Sequence, residues 1–158
     1  MRIRAYGAYD ELGSWLGLTR SLLPDSLAEL RGLLERLGHE LFVVQAELAR
    51  APTAPRPVPA IAPRHVERLE REIDAFTAPL PPLKSFVLPG GSSAASALHV
   101  ARTLARRAER ELVALNGTEP VDPLLLAWAN RLSDLLFALA LSVNHTLGVG
   151  ETPPRYDV

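Results

Sequence analysis

Proline decides where this chain can be helical. A proline beyond the first turn of a helix removes one hydrogen bond and clashes with the turn before it. Of the 14 prolines, five fall between Pro52 and Pro63 and four between Thr77 and Gly91, so the helical stretches must lie outside those two regions. The first reads from Asp10 to Leu23 and is ended by Pro24. Asp25 or Ser26 then caps a second, in which Leu27, Leu30, Leu33, Leu34, Leu37, Leu41, Val44 and Leu48 recur at helical spacing to about Arg50. Residues 51–62 read as an exposed, mobile proline-rich linker. Pro63 suits a first helical position, and Val66, Leu69, Ile73 and Phe76 share one face of the short amphipathic helix it opens. Ser92 or Ser93 caps a fourth helix running to about Asn116, with Gly117 as its C-terminal stop. Asp122 and Pro123 open the last, so apolar from Leu124 to Leu147 that burial nearly all round is expected. No strand alternation competes, and the expected fold is an all-α bundle of five helices.

A chain of 158 residues is one domain's worth and can bury a core without staples. With 47% hydrophobic and 22% charged residues, neither wholesale disorder nor a disulfide scaffold fits. Seventeen basic residues against 18 acidic ones offer no overall field for nucleic acid or an anionic membrane. Zero cysteines exclude thiolate metal sites and suit a reducing compartment, so a cytoplasmic location is expected. Met1 to Asp10 lacks an apolar export segment, and the longest purely apolar run, Leu135 to Leu141, is too short to span a bilayer. All basic residues but Lys84 are arginine, so any phosphate site here is arginine-built.

Three local patterns could carry chemistry. Arg102, Arg106 and Arg110, four apart, climb one face of the fourth helix beside Arg107 and Glu109, while Ala97, Ala101, Ala105 and Ala108 line a neighbouring face suited to close packing. Such a ladder is either a solvated face with acidic neighbours, a contact to acids on a partner, or a phosphate site. Asn130, Arg131, Ser133 and Asp134 interrupt the apolar last helix, as a buried hydrogen-bond network, an oligomer contact or a ligand site. Asp10 and Glu11 sit where the first helix is expected to begin, and favourable interaction with its dipole would account for them. The stretch from Leu88 to Ser93 could offer backbone amides to a phosphate, but it lacks the spacing and lysine of a P-loop and reads first as a turn and cap. His39, His65, His99 and His145 show no paired metal-ligand spacing, and no nucleophile elbow is present.

Read together and in order, these segments resemble the PduO-type ATP:cob(I)alamin adenosyltransferases. AYGAYDELGSWLGL is similar to that family's first-helix block, FVLPGGSSAASALHVARTLARRAERELVAL to its central signature, NRLSDLLFALA to its last-helix motif, and NHTLG to the segment after it. Gly13 stands where an asparagine is usual, and Tyr9 where the residue is normally aliphatic. The resemblance implies a five-helix bundle assembling as a homotrimer, with ATP, Mg²⁺ and the corrinoid at subunit interfaces. It implies an ATP site of Arg106, Arg107, Glu109, Arg110 and Asn130, an Asp10–Arg102 ion pair holding the site in shape, and Phe86 against the lower corrin face. Asp10, Arg102 and Arg106 are thereby implicated in catalysis, with no protein-bound metal. The implied reaction transfers the 5′-deoxyadenosyl group of ATP to Co(I), and the implied protein partners are a corrinoid reductase or an adenosylcobalamin-dependent enzyme. The family's Thr/Gly/Asp-rich loop and its lysine, which wrap the triphosphate, have no counterpart ahead of the first block. The expectation is therefore one helical domain over residues 1–158 without that loop, and the alternative is a weakly active or non-catalytic corrinoid- or nucleotide-binding paralogue.

Overall fold

The computed structural model describes residues 1–50 and 59–157. Five helices make up the fold: α1 (Arg2–Leu22), α2 (Ala28–Ala49), α3 (Pro63–Thr77), α4 (Ser93–Asn116) and α5 (Pro123–Thr146). Among the described residues there are no strands. The caps of α4 and α5 form as their sequences require, with Ser92 Oγ accepting from the Ala95 amide and Asp122 Oδ1 from the Leu124 amide.

Four features differ from the sequence reading, each for a local reason. Helix α1 starts two turns early, at Arg2, because Ala5, Ala8 and Tyr9 extend its buried face. Asp10 and Glu11 therefore lie mid-helix, beyond the reach of the N-terminal dipole. Asp25 and Ser26 do not cap α2: Asp25–Leu27 forms one 3₁₀ turn, and Asp25 instead receives the Arg31 guanidinium at 2.9 Å. Of the expected linker, 51–58 lies outside the described residues, whereas Ile61 is buried and its amide donates to Glu47 at 3.4 Å, so this end is docked. Gly117 ends α4 with φ −70°, ordinary right-handed backbone rather than the left-handed stop.

Helix α1 packs between α2 and α4, α5 lies on the other side of α4, and α3 covers α5. The alanine face of α4 lets α1 approach closely, and Trp15 donates its indole N–H to the Ala97 carbonyl at 2.8 Å across that contact. Helix α5 is long and apolar enough to cross a membrane by composition, yet it is the core helix here: Leu125, Leu132, Leu135, Leu136 and Leu139 are buried. Each such leucine contributes about 1.5–3 kcal/mol of transfer free energy. One polar network ties α2, α3 and α5 together. Glu40, 5% exposed, accepts from Trp128 at 2.9 Å and from Arg36 at 2.6 Å, and Arg36 reaches both carboxylate oxygens of Glu72.

Candidate functional site

Arg102 and Arg106 of the α4 ladder and Ser133 and Asp134 of α5 face one groove, whereas Arg110, Glu109 and Asn130 are not among its lining residues. His99, Arg102 and Arg106 on α4 and Ser133, Asp134 and Phe137 on α5 form the floor of a cavity of about 830 Å³. Its walls are the 83–89 segment, which carries Phe86, and the tail after α5, which carries Tyr156. Those two segments are pinned to each other, the Leu88 amide donating to the Thr152 carbonyl at 2.8 Å. Phe86 is 80% exposed, a large ring held out toward the cavity rather than spent on the core. A second cavity of about 610 Å³ adjoins the first, sharing Leu83, Asp134 and Phe137, and runs between α3 and α5.

The charges in this groove are incompletely paired. Arg106 in its lining and Arg110, one turn further along α4, are exposed, and among the described residues neither has an acidic partner. Arg102 is half-buried with its Nε–H unpartnered, and both burial and the neighbouring Arg106 pull its pKa below the ordinary guanidinium value. Glu109 crosses from α4 to α5, accepting from Asn130 Nδ2 at 2.8 Å, and Asn130 Oδ1 accepts from Arg131 at 2.7 Å. Arg131 also pairs with Asp134 at 3.2 Å. The polar interruption of α5 is thus a half-buried network reaching the ladder, with only Ser133 of the four fully buried.

Two of the expected placements differ. Arg107 turns away from the cavity and forms an ion pair with Glu11 of α1. Asp10 does not meet Arg102 within this chain, because Asp10 is exposed on α1 while Arg102 faces Phe137 of α5. Glu11, one residue on, is the acid directed at α4. Tyr9 is fully buried with an unpartnered hydroxyl, and burial together with the charge of Glu109 pushes that hydroxyl's pKa far up, so it stays protonated. Gly13 tolerates its place, since an added Cβ would meet Leu41 at an ordinary 3.7 Å.

Sequence reasoning missed three residues that shape the site. Asn144, buried, accepts from the Ser92 amide at 3.0 Å and donates to the Gly90 carbonyl and to Glu151, each at 3.1 Å. It fills the space beside Gly91, whose φ of 101° favours glycine and whose missing Cβ would lie 2.3 Å from the Asn144 amide. The Pro-Gly-Gly-Ser turn is therefore a seat for Asn144, which locks the start of α4 to the end of α5. His99 and Phe137 lie against each other with ring centroids 6.1 Å apart, and the Arg102 guanidinium sits 5.8 Å from the Phe137 centroid. The spacing of His99 and Arg102, three apart on the ladder side, was the available signal. Among the described residues no cluster of three His, Asp or Glu side chains gathers as a metal site.

The family model described as cobalamin adenosyltransferase matches residues 1–143, and the chain belongs to that family. It is 44% identical over 153 residues to a corrinoid adenosyltransferase of Bacillus subtilis (strain 168), covering 96% of this chain and 78% of that one. It is 45% identical over 145 residues to the corrinoid adenosyltransferase PduO of Citrobacter freundii, of which it spans 43%. Among solved structures it matches a phenylalanine-to-histidine variant of a PduO-type ATP:corrinoid adenosyltransferase from Lactobacillus reuteri, complexed with cobalamin and ATP. That match has a TM-score of 0.92 and 38% identity, covering 98% of this chain and 84% of that one. An arginine-to-lysine variant of the Lactobacillus reuteri enzyme complexed with ATP matches with a TM-score of 0.91 and 38% identity, covering 98% and 86%.

Proposed function

We propose that this chain is an ATP:cob(I)alamin adenosyltransferase whose substrates meet in the α4–α5 groove. The observation that carries the reading is the juxtaposition, in one cavity, of two incompletely paired arginines and an outstanding aromatic ring: Arg102, Arg106 and Phe86. A solvated face satisfies its arginines with water, but Arg102 is half-buried with its Nε–H unpartnered, and a surface built only for packing would not hold cations beside an exposed phenylalanine. ATP requires the first feature and a flat macrocycle the second.

The reaction is displacement at a saturated carbon. An electron pair on Co(I) of the reduced corrinoid substrate forms the Co–C bond to C5′ of ATP, the C5′–O bond breaks, and its pair leaves with the triphosphate oxygen. Cobalt supplies the nucleophile, so the protein's work is alignment and stabilisation of charge. Arg106 and Arg110, without acidic partners among the described residues, are available to the triphosphate, on which charge grows as the bond breaks. Asn130, held by Glu109, orients the nucleoside end, and Phe86 closes the lower corrin face against water and a lower axial ligand. The adjoining cavities give the macrocycle room to extend toward α3.

The chain also reads as a homotrimer with its sites between subunits. Asp10 and Arg102, separated within one chain, then pair across two, and the exposed position of Asp10 on α1 leaves it free to do so. Arg107, already held by Glu11, then braces α1 against α4 beside that contact. A soluble, cytoplasmic setting suits a reaction that needs a strong reductant and MgATP.

The test is anaerobic turnover of this 158-residue chain with chemically reduced cobalamin and MgATP, followed by the absorbance change from cob(I)alamin to adenosylcobalamin and by triphosphate release. Turnover well above the protein-free rate is expected. Corrinoid binding without turnover would replace the enzyme by a binding protein of the same fold.

A further inference from the structure

His99 is 2% exposed, and neither of its ring nitrogens has a hydrogen-bond partner. Unsatisfied buried polar atoms are rare, and here three occur within two side chains, the two nitrogens of His99 and Nε of Arg102. Phe137 connects these side chains: its ring packs against His99 at a 55° tilt and carries the Arg102 guanidinium near it. A protonated imidazole would place a second cation against Arg102, with no acid paired to either group among the described residues. The charged groups around this cluster are Arg102 and Arg106 of α4, Asp134 of α5, Lys84 of the 83–89 segment and Glu151 of the tail, and in the trimer proposed above Asp10 of the partner subunit reaches Arg102 from the side away from His99. Asp134 is taken by Arg131, and Glu151 by Asn144.

We propose that His99 and Phe137 are positioning residues for Arg102, the neutral imidazole buttressing the Phe137 ring and the ring holding the guanidinium over the cavity. The inference rests on the adenosyltransferase reading above and adds two residues to it. Burial and the charge of Arg102 hold the His99 pKa below its ordinary value, which agrees with a neutral ring at neutral pH. As pH falls through that lowered value, His99 gains a proton, repels Arg102 and loosens it from Phe137. Turnover then falls on the acid side for a reason that lies in the protein and not in ATP.

The experiment compares kcat/KM for cob(I)alamin at saturating MgATP in wild type, His99→Phe and His99→Asn. The range runs from about pH 8 to about pH 5, at a temperature well below the unfolding of each. Both variants keep a permanently uncharged side chain, and His99→Phe also keeps a ring. ATP protonation affects all three equally. His99→Phe is expected to turn over at neutral pH with a plateau of its own, and to hold that plateau to about pH 5 once the shared effect of ATP protonation is divided out. Wild type alone should lose a further factor approaching tenfold per pH unit below the His99 pKa. His99→Asn should lose the extra acid fall as well, with a lower plateau for want of the ring. Phe137→Leu should raise the KM for the corrinoid at every pH while leaving the KM for ATP near wild type. Superimposable pH profiles of wild type and folded His99→Phe, each scaled to its own plateau, would overturn the proposal. Absence of turnover in wild type would instead defeat the adenosyltransferase reading itself.

Discussion

Two polar clusters lie between the helices of this bundle, and they are built to opposite rules. Around Glu40 every strong group has a partner: Trp128 and Arg36 donate to it, and Arg36 forks onto Glu72. Around Arg102 the partners are missing, with three nitrogens unsatisfied and Arg106 left without an acid. The two also differ in exposure, Glu40 being buried while Arg102 is half-buried and Arg106 is exposed. The difference is what each is for: a satisfied network positions α2, α3 and α5 against one another, whereas unsatisfied donors beside a cavity are held for a ligand.

That contrast breaks most readily at Glu40. Replacing it by alanine leaves the Trp128 N–H without its acceptor and Arg36 with Glu72 alone, and a loss of about 3 kcal/mol in unfolding free energy is expected by denaturant titration. Turnover of the fraction still folded should stay near wild type. Arg106→Ala should do the reverse, lowering kcat/KM for ATP by about a hundredfold, or about 2.7 kcal/mol of transition-state stabilisation, in steady-state assays. Its unfolding midpoint should not move, since the side chain is exposed and unpaired. A stability loss in Arg106→Ala as large as that in Glu40→Ala would erase the distinction. Asn144→Ala lies between the two: it removes the bonds that seat the Gly90-Gly91 turn, and about 2 kcal/mol of stability should go with them. Turnover should also fall, because the same turn carries the cavity wall. The smallest effect is expected at Phe86, where alanine should raise the KM for the corrinoid several-fold, on the order of 1 kcal/mol, with no change in melting temperature.

The five helices were legible because their signals are local. Leu30, Leu34, Leu37, Leu41 and Leu48 declare the buried face of α2 by spacing, Ser92 and Asp122 declare two starts by chemistry, and the proline clusters mark the breaks. The early start of α1 was not legible, since Arg2 to Tyr9 carries little aliphatic signal and is made helical by burying Ala5, Ala8 and Tyr9 against its neighbours. Site residues followed the same division. Arg102, Arg106, Arg110 and Asn130 stood out as a ladder and as polar breaks in apolar helices. His99, Phe137 and Asn144 did not, because a lone histidine or phenylalanine in a helix carries no mark of what it will face.

By itself, then, the sequence determined an all-α chain, the placement of its breaks and the arginine character of any anion site, all of which depend on interactions within a few residues along the helix. Only the tertiary structure decided which cations would be satisfied. It turned Glu11 rather than Asp10 toward α4, gave Arg107 a partner and left Arg106 without one, and set Phe137 between His99 and Arg102. Pairing of charges depends on which helices become neighbours and how each is rotated, and that is settled by burial of the whole core rather than by any segment of it.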